Sequence, residues 1–310
     1  MTRPAPRYKP PMREGVSASC VALPSGPWNT AAEFLTHRLS TVSLHEWHTR
    51  MTQGSVLDEE GHAMAPNAPY RAHSRVYYFR ELREETPIPF EAQILYQDEH
   101  LVVADKPHFL PVTPTGRFVR ETLLVRLKHQ LGLEDLSPIH RIDRETAGLV
   151  MFSKRAQDRG AYQRLFRQRE VRKIYEAIAP WHEQPPLPAV YQSRMEPDAH
   201  FFRQCEVPGE PNSETHLSLK EVSGAWGRYE LQPVTGKTHQ LRVHMNALGR
   251  PIAGDRFYPT VLHTADSDQH NFERPLQLLA RQLTFLDPLT GEQRRFESQR
   301  RLHWPDSSAS

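Results

Sequence analysis

Cysteine is nearly absent: Cys20 and Cys205 are the two among 310 residues and stand far apart. That excludes a disulfide framework, a CxxC redox motif and a cysteine-built zinc site, and it fits a reducing compartment, the cytoplasm. Glycine is scarce as well, 15 residues against 27 prolines, so the connections read as stiff and extended. Long apolar runs are missing. The longest aliphatic stretch, Leu101-Val102-Val103-Ala104, is far below the roughly 20 residues of a membrane helix. The first thirty residues carry Arg3, Arg7, Lys9 and Arg13 without an apolar segment, and Pro4, Pro6, Pro10 and Pro11 would break an amphipathic transit helix, so no targeting peptide is expected. Charge of one sign is lacking too: 39 basic and 37 acidic residues leave a net +2, and no overall field announces a polyanionic partner. What is present is a core-forming composition, 38% hydrophobic and 25% charged, over a length that suggests one large domain and a smaller one.

Residues 1–27 are Pro-rich and aperiodic and read as an extended arm. Between 28 and 86 a small domain is expected. Phe34, Leu35 and Leu39 have helical spacing, Ser43 offers an N-cap for a helix carrying Leu44, Trp47 and Met51, and Gly54 ends it. Short strands follow at Ser55–Asp58 and Arg75–Phe79. Glu85-Thr86-Pro87-Ile88-Pro89-Phe90 reads as a linker, because each proline pushes its predecessor toward an extended conformation. The large domain is placed at 87–304 and a tail at 305–310. Its expected strands lie at 94–96, 101–104, 148–152, 174–179, 228–231 and 276–286, with helices over 122–131 and 157–169. No fixed-period repeat is visible.

Between Lys154 and Lys173 eight basic residues face two acids, a local stripe that includes Arg164, Arg167 and Arg172. Such a stripe is either a solvated helix face or a phosphate-binding surface. The most informative string is Pro138-Ile139-His140-Arg141-Ile142-Asp143-Arg144-Glu145-Thr146-Ala147-Gly148-Leu149-Val150. An acid between two arginines, in a turn that a glycine feeds into an apolar strand, suits an ionised carboxylate at a strand mouth; on composition alone such an acid is more often a surface salt bridge than a catalytic group.

The whole string resembles the His-Arg-Leu-Asp-Arg-x-Thr-Ser-Gly-Leu signature of the RluA-type RNA pseudouridine synthases. Three more blocks resemble that family in the same order: Val102-Val103-Ala104-Asp105-Lys106-Pro107, Lys173-Ile174-Tyr175-Glu176-Ala177, and Thr235-Gly236-Lys237-Thr238-His239-Gln240-Leu241-Arg242-Val243-His244 followed by Leu248-Gly249-Arg250-Pro251-Ile252-Ala253-Gly254-Asp255. The resemblance covers about residues 87–300 and implies an α+β fold with a mixed, largely antiparallel sheet flanked by helices. It implies no cofactor and an RNA partner; the spacing of the histidines argues against a metal, the short apolar runs against a membrane, the appended N-terminal unit favours ribosomal over transfer RNA, and a monomer is expected. By correspondence Asp143 is the catalytic carboxylate, Arg242 pairs with it and fixes its rotamer, Tyr175 packs on the base and assists deprotonation at carbon 5, and Arg141 displaces the base. His140, Arg144, Lys106, Lys154, Arg164, Arg167, Arg172, Lys173, Lys237 and His239 are expected to face RNA. Read without the motif, Tyr175 is a core tyrosine and Arg242 a helix-surface arginine.

Thr238 is expected to cap the helix carrying Arg242, with Gly249 past its end. Residues 30–80 resemble a degenerate alpha-L-type RNA-binding domain in which His37, His45, His48 and Glu46 replace the usual basic residues. The chain departs from the family at Ala147, where serine is usual, and at Thr113-Pro114, where His-Pro is common. His45-Glu46-Trp47-His48 is one residue short of a zinc-binding HExxH. The alternatives are an RNA-binding or RNA-remodelling protein with dispensable catalysis and, more remotely, a metal-dependent RNA hydrolase.

Overall fold

A computed structural model describes residues 8, 10–79, 85–116, 118–199, 202–261 and 272–305. The chain forms two compact units, residues 1–85 with 128–134, and residues 86–127 with 135–310.

In the first unit β1 (Ser19–Ala22), α1 (Ala31–Arg38), α2 (Leu44–Thr52), β2 (Val56–Leu57) and β3 (Arg75–Tyr78) make two helices against a three-stranded antiparallel sheet ordered β1-β3-β2. Thr30 and Glu33 form a reciprocal capping box on α1, and the Ser43 hydroxyl accepts the Glu46 N–H at the start of α2. Both caps leave the apolar face inward, where Phe34, Leu35, Trp47 and Met51 meet Val56, Val76 and Tyr78. The arm read as aperiodic over 1–27 differs: it supplies β1, whose alternation of half-buried and exposed residues carries too little hydrophobic signal to read as a strand, and Leu23 is buried just after it.

The second unit contains β4 (Gln93–Gln97), β5 (Leu101–Lys106), the first part of α3 (Leu123–Leu131, whose residues from Lys128 on are counted with the first unit), β6 (Ser137–Pro138), β7 (Ala147–Ser153), α4 (Ala156–Arg167), β8 (Arg172–Pro180), β9 (Val190–Pro197), β10 (Gln204–Val207), β11 (Ser213–Ser223), β12 (Trp226–Pro233), α5 (Gln240–Ala247), β13 (Leu278–Leu286) and β14 (Gln293–Glu297). One mixed sheet runs β10-β9-β11-β12-β8-β13-β7-β5-β4, with β14 on β13 and β6 on β7. The β13–β7 pair is parallel and the other pairs are antiparallel, which is the α+β architecture expected.

Two packed clusters anchor the helices. Tyr162 and Leu165 of α4 bury against Leu101, Val103, Leu149, Met151, Leu283 and Phe285, while Leu241 and Met245 of α5 bury against Ala177, Ala179, Leu217, Tyr229 and Leu231. Burial of this kind stabilises by about 25 cal/mol per Å2 of apolar surface and so outweighs the weak propensity of these short helices. At Gly148 a side chain is forbidden outright: φ is +110° and a Cβ would stand 2.3 Å from the Ala280 carbonyl oxygen across the parallel pair.

Strands β9, β10 and β11 were not expected from the sequence, and β11 is the longest of the three. Its inward positions near the start are Ser213 and Thr215, buried because their hydroxyls bond His244 rather than because they are apolar. Hydrophobic alternation is therefore missing from the segment. Thr238 does not cap α5: it is exposed, and the N-cap is His239 in a left-handed conformation with no side-chain cap. Gln240 organises the start instead, its Oε1 accepting from Thr235 Oγ1 and the Lys237 N–H, its Nε2 donating to Glu214 O and Thr215 Oγ1. At the far end the Gly249 N–H reaches Asn246 O and the Arg250 N–H reaches Met245 O, a Schellman closure in which Gly249 takes the left-handed position.

Candidate active site

The turn carrying Asp143 leaves β6 and enters β7, and three side chains hold its backbone. His140 Nε2 accepts the Met151 N–H at 3.2 Å while its ring stacks on Phe166 at 4.5 Å. Lys106 Nζ donates to Arg144 O at 3.0 Å and Pro107 O at 2.9 Å. His108 Nδ1 donates to Glu145 O at 2.7 Å. Within the turn the Thr146 N–H closes on Asp143 O.

This geometry corrects one expectation. Lys106 does not face RNA: it is fully buried under the turn, and burial, opposed by the charges of Glu145 and Asp143, brings its pKa down to about 7. It was read outward because a sequence shows the type of a basic residue but not its direction. His140 is half-buried; its Nε2 is committed as an acceptor and burial drops its pKa to about 3, which leaves a neutral ring with its proton on Nδ1.

Helix α5 brings Arg242 to the carboxylate. The guanidinium is 1% exposed; Nε and Nη2 form a two-pronged bond to Asp255 at 2.8 and 2.7 Å, and Nη1 reaches Asp143 Oδ2 at 3.5 Å. Burial opposes its charge, but the Asp255 bonds and the nearby carboxylates hold it above its ordinary pKa. The rings of Phe257 and Tyr258 lie 4.9 and 5.5 Å from the guanidinium carbon. Asp255 Oδ1 also accepts the N–H groups of Phe257 and Tyr258, so this second acid is completely used. Sequence reasoning missed Asp255 as a site residue. Its signal was the Gly254-Asp255 pair closing the last motif block: Gly254, at φ +75°, has no room for a Cβ, which would stand 2.4 Å from Pro275 O, and this tight turn delivers the acid to the arginine.

His239 flanks the same oxygen. Its Nε2 stands 3.8 Å from Asp143 Oδ2, its side chain is 9% exposed, and burial lowers its pKa against the opposing pull of Asp143. Tyr175, on β8, lies close enough to Asp143 to feel its charge; burial first and that charge second raise its pKa, so the hydroxyl keeps its proton. Lys173, two positions before it on the same strand, donates to Thr235 O at 3.0 Å, and burial and Arg169 lower its pKa to about 8.

The remaining expected RNA contacts spread outward. Arg141, Arg164, Arg167, Arg172 and Lys237 are exposed. Arg144 is half-buried, 4.9 Å from the Phe118 ring, and Lys154 donates to Asp98 O on the β4–β5 turn. Asp143, Arg242, His239 and Tyr175 are therefore gathered in one place, while Lys154, Arg164 and Arg167 belong to the α4 region. Among the described residues, the side chains grouped closely enough for a metal ion are Asp58, Glu60 and His62 of the first unit, and Asp58 there already accepts the N–H groups of Glu60 and His62. No helix among the described residues is long and apolar enough to cross a membrane.

A family model described as RNA pseudouridylate synthase matches residues 100–247. An RNA pseudouridine synthase of Synechocystis sp. is 30% identical over 230 residues, covering 73% of this chain and 78% of that protein. The dual-specificity RNA pseudouridine synthase RluA of Escherichia coli is 32% identical over 210 residues, 66% of this chain and 91% of RluA. Among solved structures, human RNA pseudouridylate synthase domain containing 4 aligns at a TM-score of 0.51 with 28% identity, covering 66% of this chain and 87% of that one. The stretch the family model matches contains the Asp143 turn, β8 and α5, and with these relatives it shows that the chain belongs to the RluA-type RNA pseudouridine synthases, enzymes that isomerise uridine within RNA.

Proposed function

We propose that the protein converts specific uridines of structured RNA to pseudouridine with Asp143 as the catalytic carboxylate, and that ribosomal RNA is its substrate in preference to transfer RNA. The observation that carries the reading is the single exposed edge of an otherwise locked assembly: Asp143 is 25% exposed beside an Arg242 that Asp255 immobilises. A carboxylate in that position works on the ribose, as nucleophile at carbon 1′ or as base on the sugar. The bond from carbon 1′ to uracil nitrogen 1 breaks and its electron pair leaves with the base. The detached base turns, carbon 5 bonds to carbon 1′, the carbon 5 proton departs and nitrogen 1 gains one, so the reaction is an isomerisation with no redox change.

Arg242 orients the carboxylate. Tyr175 packs on the base and, with its hydroxyl held protonated, assists the loss of the carbon 5 proton as a neutral hydrogen-bonding group rather than as a phenolate. Arg141, exposed on the Asp143 turn, fills the stack left by the extruded nucleotide, a task suited to a planar cation. Arg144, Arg164, Arg167, Arg172 and Lys237 contact phosphates. The preference for ribosomal RNA follows from the appended first unit, which adds a second folded surface to the enzyme. Specificity in such enzymes lies in loops and shape readout, and one such segment, residues 260–274, lies largely outside the described residues.

The test is pseudouridine quantified by mass spectrometry after unmodified ribosomal and transfer RNA pools are treated with the protein and with Asp143→Asn. Product from the wild type alone, in the ribosomal pool, is expected. Equal, absent product from both proteins contradicts the catalytic reading, and product confined to transfer RNA contradicts the substrate.

A further inference from the structure

The Tyr258 hydroxyl has three neighbours within hydrogen-bond range: the Gln204 N–H at 2.9 Å, the Gln204 carbonyl at 3.0 Å and His239 Nδ1 at 3.2 Å. A phenol carries one proton. The carbonyl can only accept, so it takes that proton, and the Gln204 N–H fills one of the hydroxyl lone pairs. His239 Nδ1 must then donate to the other. The ring proton is thereby fixed on Nδ1, and burial, with Arg242 adding to it against the carboxylates, keeps the ring neutral.

His239 Nε2 is consequently a bare acceptor. It faces Asp143 Oδ2, also an acceptor, across 3.8 Å, too far for a hydrogen bond and with no proton to share. The ring cannot swing away cheaply: it is 9% exposed, stacked over Phe257 at 5.8 Å and 29°, and tied to Tyr258. Two acceptors converging beside the reacting centre mark the place of a donor that the substrate brings. For a uridine whose carbon 1′ lies against the carboxylate, the nearest donor is the hydroxyl on carbon 2′. The uracil N3–H is on the far edge of the base, and the ring oxygen and the two uracil carbonyls only accept.

We propose that His239 Nε2 accepts a hydrogen bond from the 2′-hydroxyl of the target uridine, so that this histidine reads ribose and rejects deoxyribose at the reacting nucleotide. The inference deepens the function proposed above and rests on Asp143 working at the ribose. Tyr258 is then a positioning residue that sets the tautomer, and His239 is a specificity-determining contact.

The experiment pairs a substrate cycle with a spectroscopic arm. An RNA that the wild type converts is prepared with ribose or 2′-deoxyribose at the target, and kcat/KM is measured for the wild type and His239→Asn. Asparagine is chosen because it tolerates the left-handed backbone at this position, φ 54°. The deoxyribose penalty is expected to be about 10-fold larger in the wild type than in His239→Asn, the effect of one hydrogen bond between substrate and ring. Equal penalties in the two proteins overturn the inference, as a merely structural histidine would leave the ratio unchanged. In parallel, the nitrogen NMR spectrum of 15N-histidine-labelled free protein at pH 7 should show His239 protonated at Nδ1 alone, and Tyr258→Phe should release that preference. An Nε2–H tautomer or an imidazolium overturns the proposal even if the variants misfold. Should the wild type convert no RNA, the proposed function falls, and the nitrogen spectrum still judges the histidine by itself.

Discussion

Toward Asp255, Arg242 makes two short charge-assisted bonds between side chains that are each 1% exposed, and the acid is further saturated by two backbone N–H groups. Toward Asp143, the same guanidinium offers one nitrogen at 3.5 Å to a carboxylate that is 25% exposed. The first half is a closed ion pair whose disruption leaves a buried charge; the second is an open one in which a carboxylate oxygen remains for other chemistry. The difference teaches that pairing with arginine does not by itself identify a catalytic acid. What favours Asp143 as the proposed catalytic acid is incomplete satisfaction beside a partner that cannot move.

The largest expected effect separates the halves by activity. Asp143→Asn should lower product formation about 1,000-fold or more, the range seen when a reacting group is removed, while the urea midpoint moves little. Asp255→Ala should do the reverse first, costing about 3–5 kcal/mol of stability in urea unfolding because Arg242 is left buried and unpaired. Asp255→Ala combined with Arg242→Leu should recover part of that stability and none of the activity; recovery of activity would break the distinction.

A smaller effect comes from pH. His244 is buried among the hydroxyls of Thr215, Ser213 and Ser193, and burial lowers its pKa to about 4. Between about pH 6.5 and 4 the unfolded chain therefore binds a proton that the folded chain refuses, so stability rises with pH across that window and is lost as pH falls through it. The slope from this residue should approach about 1.4 kcal/mol per pH unit, and His244→Gln, measured by urea unfolding from pH 4 to 7, should flatten it. The smallest effect belongs to the α4 surface. Arg164→Gln with Arg167→Gln should reduce the log–log salt slope of RNA binding by about 1.5 and leave kcat unchanged, as loss of two phosphate contacts does; a change in kcat would move α4 into the reacting assembly.

Much of this organisation was legible before any coordinates, but unevenly. The order of strands and helices from 94 to 179 follows from apolar runs and helical spacing, and those elements are packed by hydrophobic burial. The β9–β11 segment is held by buried hydroxyls and amides, Ser213, Thr215 and Gln240, and polar satisfaction leaves no periodic trace in a sequence. At the site, motif resemblance carried Asp143, Tyr175 and Arg242, whereas Asp255 went unassigned because its role depends on a glycine turn returning to α5. The charge-rich stripe from Lys154 to Lys173 drew attention by density, yet Arg242, 3.5 Å from the carboxylate, and Lys106, which feels its charge, come from outside it and are buried.

The measurement that bears most directly on the central claim uses one preparation of Asp143→Asn, assayed for pseudouridine in ribosomal RNA and for its urea unfolding midpoint together. The account predicts a midpoint within about 0.5 kcal/mol of the wild type and no product above background. Product at the wild-type rate from a folded Asp143→Asn protein would contradict it.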